Sequence, residues 1–110
     1  MATAFKNLLV TGLGSTPTTV LTTNASARTT EIGLSLANKT PNVVVVSIQL
    51  QDTVASTSAY YVYNLIIPPN NSARVINGGE KLILGASTNV IITCNTDAGV
   101  DLVMSYVEIS

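Results

Sequence analysis

Thr30–Leu36 reads Thr-Glu-Ile-Gly-Leu-Ser-Leu, with Ile32, Leu34 and Leu36 at every second position. A period of two over seven residues places these three side chains on one face of a half-buried strand. The same texture runs through the chain. Short segments rich in Val, Ile and Thr recur at Phe5–Thr11, Thr18–Thr23, Thr30–Leu36, Val43–Gln51, Tyr60–Ile67, Ser72–Ile76, Lys81–Leu84, Thr88–Cys94 and Val100–Ile109. Gly, Pro, Asn and Ser clusters separate them, and no helical period appears anywhere. This spacing predicts an all-β fold: a single-domain antiparallel β-sandwich over residues 1–110, jelly-roll-like, with about eight to nine short strands.

The breaks have physical reasons. Gly12-Leu13-Gly14-Ser15 reads as an interruption after the first strand. At Asn38-Lys39-Thr40-Pro41-Asn42, Pro fixes φ and Asn tolerates left-handed backbone. Leu65–Leu84, LIIPPNNSARVINGGEKLIL, poses the sharpest question, because it resembles a loop that could hold a ligand. A phosphate-binding loop needs its glycines to lead into a helix N-terminus. Here Gly78-Gly79 leads into Lys-Leu-Ile-Leu, a strand pattern. Pro68-Pro69 ends the Tyr60–Ile67 strand, since proline cannot donate to a ladder. Asn77-Gly78-Gly79 has the residues of a two-residue hairpin turn. The segment therefore reads as corners of a sheet.

Catalytic chemistry finds little to use. The 110 residues contain no histidine and one cysteine, which removes His-based triads, His metal sites and thiolate zinc sites. Cys94 sits in a Val-Ile-Ile-Thr-Cys strand with no nearby cation and reads as a small buried hydrophobe. The six carboxylates are scattered and give no facing pair of the kind a glycosidase needs. Asn95, Asp97 and Asp101 flank one turn and could form a loose calcium site, although turn formation explains them equally well. The expectation is a non-enzyme with no cofactor. The Asn-x-Ser/Thr matches at Asn24, Asn38 and Asn70 read as turn residues. The amino-terminal stretch makes a poor signal peptide, and no apolar run approaches a membrane helix.

Charged residues make up only 10% of the chain against 46% hydrophobic, where an average domain carries roughly 25% charged. A surface so poor in charge expects company. The formal net charge of −1 offers no attraction to nucleic acid or an anionic membrane, so neither is expected as a partner. In Val43–Gln51, Val44, Val46, Ile48 and Leu50 share one face, yet Val43 and Val45 on the other are also apolar, as in a strand between a core and a partner. Three of the four tyrosines lie in Tyr60–Ile67, where strict alternation sets Tyr61 and Tyr63 on one face and Tyr60 on the other. Val43, Val45, Tyr60, Tyr61, Tyr63 and the C-terminal strand residues Tyr106, Val107 and Ile109 are the interface candidates. The tyrosines could alternatively stack against a sugar or base.

Several motifs occur in a telling order: FKNLLVTGLGSTPTTVLT, IGLSLANKTPNVVVVSIQL, YNLIIPPNNSARVINGGEKLIL and the closing VDLVMSYVEIS. In that order the chain resembles the small all-β virion structural proteins of tailed bacteriophages, as in phages of cyanobacteria and other aquatic bacteria. The resemblance implies a structural role without an active site. It points to capsid decoration or cement, assembled in the host bacterial cytoplasm into the virion, as a symmetric homo-oligomer (a trimer being one form) docked on the major capsid protein. The alternative it leaves open is a tail, baseplate or fibre-tip module that binds another virion protein or a host glycan.

Overall fold

The structure, a computed structural model, describes residues 3–76, 81–96 and 99–109. They form nine strands: β1 (Thr3–Leu13), β2 (Thr18–Thr22), β3 (Arg28–Asn38), β4 (Val44–Asp52), β5 (Thr57–Ile67), β6 (Ser72–Ile76), β7 (Leu82–Leu84), β8 (Thr88–Cys94) and β9 (Val100–Ile109). Every strand pair is antiparallel. One sheet has the order β1-β9-β3-β6, with β7 also on β3; the other has the order β2-β8-β4-β5. We call them sheet A and sheet B.

The pairing follows a nested rule. β1 pairs with β9, β2 with β8, β3 with β6 and β7, and β4 with β5. The chain is thus one long hairpin, with β4–β5 at its tip, rolled so that successive levels fall in opposite sheets. This is the jelly-roll arrangement. The inner faces meet over Leu34, Leu36, Val44, Val46, Ile48, Ile67, Ile92, Leu102 and Met104, each at most 2% exposed. In β8 the burial alternates without a slip from Thr88 to Cys94, as the period of two predicts.

Three features of the sequence pattern yield to tertiary structure. First, β1 does not stop before Gly12 but continues to Leu13. A register shift between Val10 and Leu13 admits an extra residue, and Gly12 takes φ +69 there, a conformation open mainly to glycine. The shift turns Leu13 into the core, 2% exposed. Second, the predicted hairpin between Ser72–Ile76 and Lys81–Leu84 is not formed among the described residues; its turn, Asn77-Gly78-Gly79, lies outside them. β6 runs along Leu34–Ala37 and β7 along Thr29–Glu31, so the two share β3 in line. The buried length of β3 outcompetes local pairing of two short strands. Third, β3 itself carries a bulge between Glu31 and Gly33. It ends the shared face of Ile32, Leu34 and Leu36: Ile32 is turned outward, 37% exposed, and Glu31 inward, 1% exposed. One inserted residue exchanges the faces of all that precede it.

Polar side chains fix the corners. Buried Asn38, at the end of β3, donates through Nδ2 to the carbonyls of Asn42 (2.8 Å), Ile67 (3.1 Å) and Pro68 (3.1 Å). Its Oδ1 accepts from the Thr40 amide and hydroxyl. One side chain thereby ties the β3–β4 connection to the Ile-Pro-Pro corner after β5. Asn24 accepts from the Ser26 amide at 2.9 Å, and Asn70 adopts φ +51. Two of the three Asn-x-Ser/Thr asparagines thus serve turns, and Asn38 serves as this buried clamp.

Candidate interaction surfaces

The positions that could have carried chemistry are occupied with structural work. Asp101 accepts from Thr11 Oγ1 at 2.8 Å and the Gly12 amide at 3.1 Å, and pairs with Lys39 at 3.1 Å. The hydrogen bonds from Thr11 and Lys39 hold its carboxyl below the usual range. Asn95 Oδ1 accepts from the Val45 amide at 2.9 Å. These are two members of the possible calcium turn; Asp97 lies outside the described residues. Among those described, no three His, Cys, Asp or Glu side chains gather to hold a metal. Cys94 is buried, and burial pushes its thiol up to about 11, which leaves almost no thiolate near neutral pH.

Glu31 is the exception to this tidy accounting. Both of its carboxylate oxygens are buried without a hydrogen-bond partner, as is Thr29 Oγ1 on the same inner face. Its cross-strand neighbours are Tyr106 and Leu82. Burial raises its pKa from 4.5 to about 7. An unpartnered buried carboxylate is costly, so the group favours its neutral form. It lies in the core, 1% exposed, where its ionised form costs the fold stability. The sequence pattern hid it, because alternation assigned Glu31 to the solvent face.

What remains is surface. The outer face of sheet A carries a cross-strand row, Phe5–Val107–Thr30–Ile83. Phe5 is 78% exposed and Ile83 77%. With Ile32 and Lys81 these residues line an open groove of about 480 Å³. Leu9 and Val103, paired across β1 and β9, extend the apolar surface along the sheet. Contiguous apolar surface of this kind marks contact sites.

Sheet B offers a second, aromatic feature. Register shifts flank Ile48 in the β4–β5 ladder, and each inserts an extra residue into β5. The strict alternation expected for the tyrosines fails as a result. Tyr60 and Tyr63 now share the solvent side in an edge-to-face contact, with centroids 4.8 Å apart, while Tyr61 turns to pack against the core. Asn64 sits in the bulge at φ +55; its amide donates to Ser47 Oγ at 3.1 Å.

The interface residues expected from the sequence are therefore distributed rather than gathered. Val43 stands just before β4, 48% exposed, and Val45 lies in β4, half-buried. Tyr60 and Tyr63 are exposed at the edge of sheet B. Val107 joins the sheet A groove, and Ile109 is half-buried at the end of β9. Tyr106 belongs to the core, 9% exposed, because it shares the inward face of β9 with Leu102 and Met104. Phe5, Leu9, Ile32 and Ile83 were missed. For Leu9 the apolar run Leu8-Leu9-Val10 carried a signal, since it is apolar on both faces just as Val43–Val46 is.

No protein-family model matches the chain, and no curated protein matches it. Solved structures do. A chain from Bacillus endospore appendages, described as disulfide-linked pili, superposes with a TM-score of 0.58 at 12% identity, over 98% of this chain and 88% of that one. A chain of the T13 IBDV viral particle gives 0.57 at 7% identity, over 96% of this chain and 30% of that one. A pentameric capsid protein from metagenomic phage sequences gives 0.47 at 18% identity, over 93% and 58%. At these identities the likeness is one of fold.

Proposed function

We propose that this protein is a non-enzymatic structural component of a bacteriophage virion, a decoration or cement protein that self-associates and docks on the capsid lattice. The observation that carries the reading is the exposed apolar face of sheet A, with Phe5 and Ile83 both more than three-quarters exposed. On a chain so poor in charge, such a face gains by being covered. At roughly 25 cal/mol per Å² of apolar area, each contact is modest, but a shell repeats it many times. The motif order resembling small phage virion proteins supports the reading. So does a fold shared with a chain of a viral particle.

Immunogold electron microscopy of purified phage, with antibody against this chain, tests it. Label spread over the head is expected. Label confined to the tail would move the protein to a tail or baseplate role, and no label on any particle would overturn the structural reading. Val45→Asp supplies a second test, because it sets a charge on the outer face of β4; assembly that persists with unchanged stability removes that face from the contact.

A second reading has its own observation. The exposed Tyr60–Tyr63 pair beside Asn64 presents aromatic faces and an amide, a combination suited to sugar rings. A glycan array probed with the full chain would reveal such binding, and an array without hits would remove it.

A further inference from the structure

Sheet A ends at β1. Thr3–Leu13 pairs with β9 on one side, and among the described residues no strand lies on the other. Alternate amides and carbonyls along this edge point outward without ladder partners. Such edges are templates for another strand, and proteins usually blunt them with proline, bulges, charges or short length. β1 is eleven residues long, contains no proline, and runs in unbroken register with β9 from Thr3 to Val10. Its one lysine, Lys6, is held at 3.1 Å by Glu108 of β9, on the face opposite Phe5 and Leu9.

The side chains along this edge are arranged symmetrically. Phe5 and Leu9 flank Asn7 at two residues on either side, all three on the outer face. They are 78% and 69% exposed. In an antiparallel pair centred on Asn7, residue 5 of one copy lies directly opposite residue 9 of the other. Both apolar side chains would then be covered twice over, once at each end of the contact, as a two-fold interface requires. Charge selects the direction. A parallel, in-register pair would set Lys6 beside Lys6, whereas the antiparallel pair sets Lys6 opposite Leu8. The pairing also joins the outer faces of two sheets A into one continuous apolar surface.

We propose that β1 is a homodimerisation edge: two copies pair their β1 strands antiparallel about a two-fold axis at Asn7, each Phe5 covering the Leu9 of the other. The inference deepens the self-association in the proposed function and rests on it.

The test uses Asn7→Cys in the full chain. Opposed residues in an antiparallel pair have Cα atoms about 4.5–5.5 Å apart, within disulfide reach. Cys94 is buried, so the unsubstituted chain is the control. Mild oxidation should give a covalent dimer for Asn7→Cys and none for the control or for Tyr63→Cys on the opposite edge. In sedimentation experiments the unsubstituted chain should be dimeric or larger. Phe5→Lys combined with Leu9→Lys should sediment as a monomer while keeping its β circular dichroism. Two outcomes overturn the β1 contact alone: no Asn7→Cys cross-link from a chain that still self-associates, or undiminished assembly of the folded double-lysine variant. A chain that sediments as a monomer at all accessible concentrations overturns self-association itself, and with it the β1 pairing. Head labelling in the microscopy experiment would stand independently of either result.

Discussion

β1 and β5 are the two long edge strands of the sandwich, each eleven residues, and they are built to opposite ends. β5 is interrupted by two bulges beside Ile48. Asn64 holds one of them in left-handed backbone, clamped to Ser47. Tyr60 and Tyr63 are packed against each other rather than laid along the strand. A second strand laid along this edge would meet a broken register. β1 keeps its register through eight residues and bends only at Gly12. The contrast teaches that edge exposure alone does not define a contact. Two strands of equal length in one molecule can be open or closed to pairing, and the difference lies in inserted residues rather than in hydrophobicity.

The comparison can be broken most sharply at its anchors. Ile67 fastens the end of β5 with no exposed area, whereas Leu8 on the inner face of β1 is only half-buried. Ile67→Ala should cost about 2–5 kcal/mol in urea unfolding, and Leu8→Ala about 1–2 kcal/mol. Equal costs would mean that β1 is held as firmly as β5.

The next effect concerns the sheet that β1 extends. Glu31 titrates at about 7 when folded against 4.5 when exposed. Between these values the folded chain binds more protons than the unfolded one, so stability falls as pH rises through that window and levels off above it. The loss by pH 8 is about 3 kcal/mol. Glu31→Gln should abolish this slope and raise the melting temperature at pH 8 by on the order of 10 °C, with little change at pH 4. Hydrogen exchange should show sheet A opening before sheet B as pH rises. A flat pH profile for the unsubstituted chain would contradict the buried placement of Glu31.

Smaller effects probe the bends. Asn64→Val forces a β-branched residue to φ +55 and should cost roughly 1–2 kcal/mol, while Asn64→Gly should cost only tenths, since glycine accepts that conformation. Gly12→Ala meets no atom within 4 Å, so its cost, about 1 kcal/mol, is conformational alone. If thermal melts showed Gly12→Ala to be neutral, the bend that ends the regular part of β1 would not depend on glycine.

The sequence reads well where turn chemistry brackets a strand. Ser72–Ile76, Thr88–Cys94 and Val100–Ile109 begin and end where proline, asparagine and glycine say they should. It reads poorly at bulges, because an inserted residue leaves no compositional trace yet reverses every side chain on one side of it. Ile32 and Glu31 exchanged faces, and Tyr63 came to share a side with Tyr60 rather than Tyr61, for this single reason. Asn38 was legible as a polar strand end but not as a clamp, since its three carbonyl partners come from residues up to thirty positions away. Exposed Val43 and the exposed tyrosines of β5 could be anticipated from residues that are apolar where a solvent face should be polar. The sheet A groove could not, because Phe5, Val107, Thr30 and Ile83 meet only through pairing of strands distant in the chain.

That nested pairing has a consequence in time. β9 is the ninth strand in chain order, yet it lies between β1 and β3 and, among the described residues, is the one strand that links them. During synthesis, β1 therefore waits through the appearance of seven other strands before its partner exists. Sheet B can begin from the local β4–β5 hairpin, but sheet A closes only when β9 arrives, and loops of this length make such closure slow. Until then β1 is a bare strand with both of its backbone edges unpaired. The element that completes the fold is also the one that turns β1 from a hazard into an ordered edge.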